Sequence, residues 1–392
     1  QKDGLIKGPF GGDIKKSLFV PKSDDTYKVY EQGVVLNHDI NRGDYYVSKE
    51  YFEKKLKRFE VKENDILLTG AGTLGELFIV PSNYPKGVIN QALLRIRLNE
   101  NIVNQAFFKY YFKHYIKLLI SNINGDSVIP NLPPLTIIKS TLIDIPNIET
   151  QQRISAVLSS LDAKIELNNK INRELEAAAK TLYDYWFVQF NFPDKNGKPY
   201  KTSAGKMVWN EQLKREIPEG WEAGKINDFI EVKDGTHDSP KPKETGYYLI
   251  TSKNLLESGL DFDNANLISE EDYMNINKRS KVDTGDILFS MIGSIGVIYK
   301  IEETDIKFAV KNVALYKTSQ KKQYNNYIYQ YLKSYDMQYY MSTVISGSIQ
   351  KFIGLGSLRD MPLLFNREVI ELFISKTNAI YSKMNNIKNE NQ

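Results

Sequence analysis

The chain has 392 residues, 41% hydrophobic and 26% charged, with a formal net charge of +4; these are ordinary values for globular protein and allow two or three domains, each with its own core. It has no cysteine and only three histidines, His38, His114 and His237, which excludes disulfide scaffolds and thiolate metal sites and argues against a histidine-rich metal centre. The lack of cysteine fits a reducing cytoplasm, the expected location; no apolar run of about 18 residues offers a membrane span, and the start, Gln1-Lys-Asp-Gly4, has neither an initiator methionine nor an apolar signal core, so a short preceding natural segment is expected.

Residues 1–147 read as a first globular domain. Short β-like runs, Asp65-Ile-Leu-Leu-Thr69, Glu76-Leu-Phe-Ile-Val80 and Leu93-Leu-Arg-Ile-Arg97, alternate with turn residues. A helical stretch follows, with Phe108, Tyr111, Phe112, Tyr115 and Leu119 on one face; such a stripe is expected to pack on a sheet rather than stack bases.

Residues 148–192 change pattern. Ile154, Leu158, Leu161 and Ile165, then Ile171 or Asn172, Leu175, Ala178 and Leu182, recur at heptad spacing with no proline or glycine between them, predicting one long helix with a coiled-coil seam, roughly 55 Å in length. Asn168 and Asn172 fall on or beside that seam, where a polar residue fixes register. Residues 193–225 read as a polar linker and the approach to a second domain, 226–365. Residues 366–392 carry a regular heptad, Ile370, Phe373, Thr377, Ile380, Met384 and Ile387, with Asn366 as N-cap. Antiparallel pairing of the two helices is predicted, through Ile154, Leu158, Leu161, Ile165, Leu175 and Leu182 on one and Ile370, Phe373, Ile380, Met384 and Ile387 on the other.

The two domains are copies. Val61 to Gly75 returns as Val282 to Gly296 at an offset of 221 (286 − 65 for the aspartates), and the match reads without a gap from Ser48/Ser269 to Leu94/Leu315 and Tyr110/Tyr331. The aromatic helix is echoed by Ile328, Tyr331, Leu332, Tyr335 and Tyr339, and Leu142-Ile-Asp-Ile-Pro146 by Leu358-Arg-Asp-Met-Pro362. A repeat this long is a domain and not a solenoid unit.

Chemistry-bearing motifs are few. Gly70-Ala-Gly72-Thr-Leu-Gly75 spells G-x-G-x-x-G, but a strand follows it where a dinucleotide site needs a helix, and Met291 replaces the first glycine in the second copy; a tight turn between strands is expected. Asn131-Leu-Pro-Pro-Leu135 lacks the spacing and the aromatic of an adenine-methyltransferase loop. P-loop, H-E-x-x-H and G-x-S-x-G motifs are absent. Lys57-Arg58 recurs as Lys278-Arg279, a pair of phosphate contacts or of exposed strand-edge charges. The first loop of each copy is polar and glycine-rich, Lys7 to Lys16 and Asp234 to Lys243, presenting Lys7, Lys15 and Lys16 in one and Thr236, His237, Lys241 and Lys243 in the other. Such loops suit DNA contact or plain surface turns.

Taken in order, Ile145-Pro-Asn-Ile-Glu-Thr-Gln-Gln-Arg-Ile154, Leu161-Asp-Ala-Lys-Ile-Glu-Leu-Asn168, Tyr185-Trp-Phe-Val-Gln-Phe190, Glu216-Ile-Pro-Glu-Gly-Trp221 and the turns Asn64-Asp-Ile-Leu67 and Gly285-Asp-Ile-Leu288 make a specific combination. With them the chain resembles the specificity (S) subunit of type I restriction–modification enzymes over nearly its whole length. The resemblance implies an α/β (α+β) fold of two duplicated target-recognition domains separated by two long antiparallel coiled-coil helices, with pseudo-twofold symmetry. It implies a non-catalytic subunit that reads a bipartite, asymmetric double-stranded DNA target and docks two DNA methyltransferase (M) subunits, joined by restriction (R) subunits. S-adenosylmethionine, ATP and Mg would bind those partners and not this chain, and no membrane is involved. Two departures from the family stand out: the segment Trp221 to Phe229 has no counterpart before Gln1, and the distal helix is the shorter one. Rival readings are a specificity subunit of a fused restriction–methylation enzyme, or a coiled-coil adaptor with two protein-binding heads.

Overall fold

The computed structural model describes residues 4–70, 73–123, 134–140, 142–256, 259–347 and 351–391. The chain divides into two compact units, Gln1–Ile165 and Glu166–Gln392. The Asn131 to Leu135 motif falls largely outside the described residues, as do Ala71 and Gly72.

The first unit holds strands β1 (Leu5–Lys7), β2 (Thr26–Tyr30), β3 (Tyr46–Ser48), β4 (Glu60–Val61), β5 (Ile66–Thr69), β6 (Leu77–Ile79), β7 (Gly87–Ile89) and β8 (Leu93–Ile96). They form two sheets, ordered β1-β8-β5-β6 and β3-β2-β7-β4. β5 and β8 are buried on both faces, which is why they read as unbroken apolar runs and not as alternating ones. Ile66, Leu68 and Leu94 meet Phe108, Phe112 and Ile116 of the helix Gln105–Ile123, while Leu67 and Leu93 face Tyr30 and Ile89 of the other sheet. The aromatic stripe therefore packs on a sheet, as its spacing predicts.

The second unit repeats this plan. After a hairpin of β9 (Met207–Asn210) and β10 (Arg215–Pro218) and the strand β11 (Glu222–Lys225) come β12 (Val232–Asp234), β13 (Tyr247–Thr251), the ribbon β14 (Leu255–Leu256) and β15 (Gly259–Leu260), β16 (Asn266–Ile268), β17 (Ile287–Ser290), β18 (Ile298–Lys300), β19 (Phe308–Lys311), β20 (Val313–Tyr316) and β21 (Pro362–Phe365). The sheets are β12-β20-β17-β18 and β16-β13-β19. A parallel strand pairing recurs in both copies too, β2 with β7 and β13 with β19.

The offset of 221 holds through β5 and β17, but β5 pairs Thr69 with Leu93 and β17 pairs Ser290 with Val313, an offset of 220 (313 − 93). Three residues, 90–92, join β7 to β8, whereas Asn312 alone separates β19 from β20. The match of Leu94 to Leu315 is thus out of register: Leu94 faces the helix and Leu315 the opposite core, as a one-residue slip in a strand requires.

The turns that carry the repeat are closed by the same side chains in both copies. Asp65 accepts a hydrogen bond from Lys62 N–H (2.7 Å) and Asp286 from Asp283 N–H (2.8 Å), closing the turn ahead of β5 and β17. Each buried carboxylate meets a cation from the equivalent position, the residue that follows β8 or β20 (317 − 97 = 220): Arg97, 2.7 Å away, in the first copy and Lys317, 2.5 Å away, in the second. After the strand, the Thr69 hydroxyl accepts from Glu76 N–H (3.0 Å) and Ser290 from Val297 N–H (2.8 Å). Gly75 and Gly296 adopt φ of +81° and +88°, a conformation that favours glycine; this is the turn between β5 and β6 that G-x-G-x-x-G conceals.

The segment 193–225, read as a linker, is folded. Ile217 and Trp221 share a core with Phe190, Phe192 and Phe187, and β11 pairs with β21, the strand that leads into the distal helix.

The central helix spans Ile148–Tyr183 and the distal helix Arg367–Glu390, the shorter by 12 residues (36 − 24). Asn366 caps the latter, accepting from Val369 N–H at 3.1 Å. Within the second unit the helices pair antiparallel: Asn168 Nδ2 donates to Asn391 Oδ1 (2.9 Å), and at the other end Phe373 packs its ring on Tyr183, Trp186 and Phe187. Leu175 and Leu182 lie half-buried, and Ala179, not Ala178, is enclosed. Ile370, Phe373 and Ile387 are buried, with Ile380 and Met384 half-buried and Tyr381 filling the stripe between them.

The other residues expected to form the seam, Ile154, Leu158, Leu161 and Ile165, belong to the first unit. Ile154, Leu161 and Ile165 are 39%, 52% and 40% exposed. The helix instead presents Gln151 and Ser155 to the first domain. Gln151 Oε1 accepts from Asn104 N–H (2.8 Å) while its Nε2 donates to the carbonyls of Ile102 and Pro146.

Candidate nucleic-acid interface

Both first loops leave their domain in the same way. β1 and β12 are edge strands that end at Gly8 and Gly235, whose amides donate to Leu93 O and Val313 O, both at 2.9 Å. A side chain at either glycine would collide with a backbone carbonyl, Asn90 O at 1.8 Å or Val310 O at 2.2 Å. Only glycine permits this approach, which sets the loop against the β7–β8 or β19–β20 connection.

In the second domain several candidate residues are hydrogen-bonded to the loop itself. Thr236 is buried, with its N–H on Val310 O (3.0 Å) and its hydroxyl accepting from Asp238 N–H (3.1 Å). Arg279 Nη2 donates to Gly235 O (2.7 Å) and Asp234 Oδ1 (3.1 Å). His237 bridges Asp234 and Asn312, at 2.9 and 2.8 Å. Lys241 and Lys243 lie exposed on the loop, outside any ion pair or side-chain hydrogen bond among the described residues.

Lys278 and Arg279 occupy the last turn of a helix, Glu270–Ser280, capped by Ser269. Lys57 and Arg58 follow the helical segment capped by Ser48 in the first copy. The pair therefore sits at a helix end, where cations complement the carbonyl dipoles, and not on a strand edge. Lys57 is tied to Glu53 at 2.7 Å, a hydrogen bond that raises its pKa, and Lys278 to Asn275 at 2.9 Å. In the first loop Lys7, Lys15 and Lys16 are exposed around Phe10, which is 86% exposed, while Asp13 O accepts from the Tyr51 hydroxyl (3.0 Å).

The structure adds a feature that the sequence reading missed. The loop Ser239–Pro242, the end of β13, the start of β16, the glycine turn at Gly293 and the Lys311–Asn312 connection enclose an open cleft of about 950 Å³. Lys241, Lys253 and Lys311 line it with a row of amides and hydroxyls, and among the described residues no carboxylate does. Lysines attract a polyanion, and carboxamides match the donor and acceptor edges of bases. Of the candidates from the sequence, only Lys241 lines this cleft. Its other walls come from positions up to about 70 residues apart, which only the fold brings together (312 − 239). Among the described residues no group of acidic or histidine side chains is placed to hold a metal, and no helix is long and apolar enough to cross a membrane.

Comparison with known proteins agrees with this duplicated arrangement. The model of the type I restriction modification DNA specificity domain matches residues 11–177 and again 218–363. The chain is similar to the type I restriction enzyme MjaIX specificity subunit of Methanocaldococcus jannaschii, 24% identical over 402 residues, covering 99% of this chain and 84% of that one. It is likewise similar to the MjaVIII specificity subunit of that organism, 24% identical over 362 residues, covering 88% and 79%. Among solved structures, the type I restriction–modification S subunit from M. genitalium aligns with a TM-score of 0.41 and 14% identity over 99% of this chain and 91% of that one. Matched twice over most of its length, the chain belongs to the type I restriction modification DNA specificity family.

Proposed function

We propose that this chain is the non-catalytic, DNA sequence-recognition subunit of a cytoplasmic type I restriction–modification complex, each domain reading one half of a bipartite, asymmetric duplex target. The observation that carries the reading is the double match to the specificity domain over two copies of one fold. Methyl transfer and ATP-driven cleavage belong to the partner methyltransferase and restriction subunits, which bind S-adenosylmethionine, ATP and Mg. The test is co-expression with a methyltransferase subunit of the system and sequencing of methylated DNA. A two-part motif is expected; methylation without sequence preference sinks the reading. Exchanging residues 226–365 for those of another family member should change one half of that motif. Changes in both halves would show that the domains do not specify independently.

The exposed apolar stripe of the central helix, Ile154, Val157, Leu161 and Ile165, is where we place a methyltransferase subunit. A stripe of this kind in water is a contact surface awaiting cover. Leu161→Asp leaves the helix intact, because the residue is exposed, and is expected to weaken co-purification of the methyltransferase by roughly 30-fold or more, the effect of losing a central apolar anchor. Undiminished co-purification would place the docking surface elsewhere.

A further inference from the structure

We infer that Asn266 and Lys253 are the specificity-determining residues of the second domain, reading base edges from the cleft beside its first loop. The inference rests on the DNA-recognition reading above and names the side chains that do the reading.

The cleft's polar side chains divide by whether the fold already uses them. Asn254 accepts from Thr251 N–H (3.1 Å) and the Thr251 hydroxyl (2.7 Å) and donates to Asp261 O (3.3 Å). Asn264 donates to Asp261 (2.8 Å), Lys311 to Ser239 (2.5 Å), and Asn312 is joined to His237 (2.8 Å). These groups build the wall. Lys253 and Asn266 line the same cleft, are exposed, and make no side-chain hydrogen bond or ion pair within the described residues.

Both free groups are nevertheless held in place by their backbone. Asn266 sits on β16, paired with Leu249 of β13. Lys253 rides on the turn that Asn254 fastens. A carboxamide on a fixed strand offers one donor and one acceptor side by side, the pattern that pairs with N6 and N7 of adenine. The lysine ammonium donates to O6 or N7 of guanine. Lys241, flanked by Pro240 and Pro242 at the cleft mouth, suits a phosphate, which positions the duplex without reading it.

The first domain supports the assignment by contrast. Counting from the shared caps Ser48 and Ser269, Asn266 corresponds to Tyr45 (266 − 221), which stacks on Phe19 at 4.6 Å. Where β13 ends in the turn carrying Lys253, β2 runs into a short helix, Gln32–Leu36. The scaffold turns are the same in both copies, and this corner of the cleft differs. Two domains built to read different half-sites should diverge at such a corner.

The experiment uses the full chain co-expressed with its methyltransferase subunit, comparing the parent with Asn266→Ala, Lys253→Ala and the double variant by sequencing methylated DNA and by thermal melting. The parent must give a bipartite motif; if it does not, the DNA-recognition reading itself fails. Given that motif, each variant is expected to relax one position of a single half-site, the same one for both, by roughly 5- to 150-fold, the discrimination of a good base contact. The other half-site and the melting midpoint should be unchanged. A motif unaltered in all three variants overturns the assignment while leaving the DNA-recognition reading intact. Loss of all methylation at an unchanged melting midpoint also overturns it, since the residues would then anchor DNA without reading it. A lowered midpoint overturns it as well, by giving the two side chains a structural role.

Discussion

Asp286→Ala is expected to destabilise the second domain by about 3–5 kcal/mol, the effect of removing one partner from a buried ion pair. The carboxylate is fully enclosed; it accepts from Lys317 Nζ (2.5 Å), Asp283 N–H (2.8 Å) and Ser319 N–H (3.0 Å). Alanine leaves two backbone donors and a buried ammonium with fewer acceptors. Asp283, 2.8 Å from the same ammonium, softens the loss, which places the expected value toward the lower end. For a unit of this size about 3 kcal/mol lowers the melting midpoint by on the order of 6–12 °C. Asp286→Asn retains the shape and one acceptor and should lie between parent and alanine. A midpoint for the alanine variant within a degree or so of the parent would remove the buried aspartate from the account of why the Asp-Ile-Leu turn recurs. The same cluster responds to pH. Burial pushes the Asp283 carboxyl up, but hydrogen bonds from Lys317 and Lys281 outweigh it and hold the group below its ordinary value. Its stabilising contribution is therefore complete above the usual aspartate pKa of about 3.9 and is lost as pH falls through the lowered one.

Phe373→Ala should have a comparable effect, about 3–5 kcal/mol for a buried phenylalanine removed from a packed core. Phe373 has no exposed surface, and its ring meets those of Tyr183 (6.0 Å), Trp186 (6.0 Å) and Phe187 (5.3 Å). It joins the distal helix to the end of the central helix and, through Phe187, to the Trp221 cluster. Denaturant unfolding measures the loss. Ile380→Ala, at a half-buried position of the same helix, is the comparison and should lose clearly less. Equal losses would mean that the helix is held by its apolar stripe as a whole and not by this aromatic junction.

How far the sequence could be read follows from which interactions are local. The Asp65 and Asp286 turns, the Thr69 and Ser290 hydroxyls and the glycines after them act within a few residues, so they leave a visible repeat. The slip between Leu94 and Leu315 was hidden because one residue lost from a connection is outvoted by a chance identity. Gln151 could not be picked out, since its partners Asn104 and Ile102 lie nearly 50 residues away. Thr236 looks like a DNA contact in sequence because it is polar and follows a glycine, and Arg279 because a basic pair recurs in both copies; the fold ties both to its own loop. Asn266 carries no signal at all in the sequence, because its meaning comes from lining one cleft with Lys241 and Lys253.

The amide contact between Asn168 and Asn391, extended by Asn391 Nδ2 to Asn169 Oδ1 at 3.1 Å, has a consequence for slippage. Apolar seams tolerate sliding by a heptad, since one leucine-like residue replaces another. Here a slide of seven residues would bring Met384 to the place of Asn391 (391 − 7) and leave the enclosed Asn168 facing a thioether. An unmet buried amide costs about 1–3 kcal/mol, which by itself holds the shifted pairing to roughly a fifth or less of the native one. The two helices thus have a preferred alignment, set by hydrogen bonds at one end and by the Phe373 junction at the other.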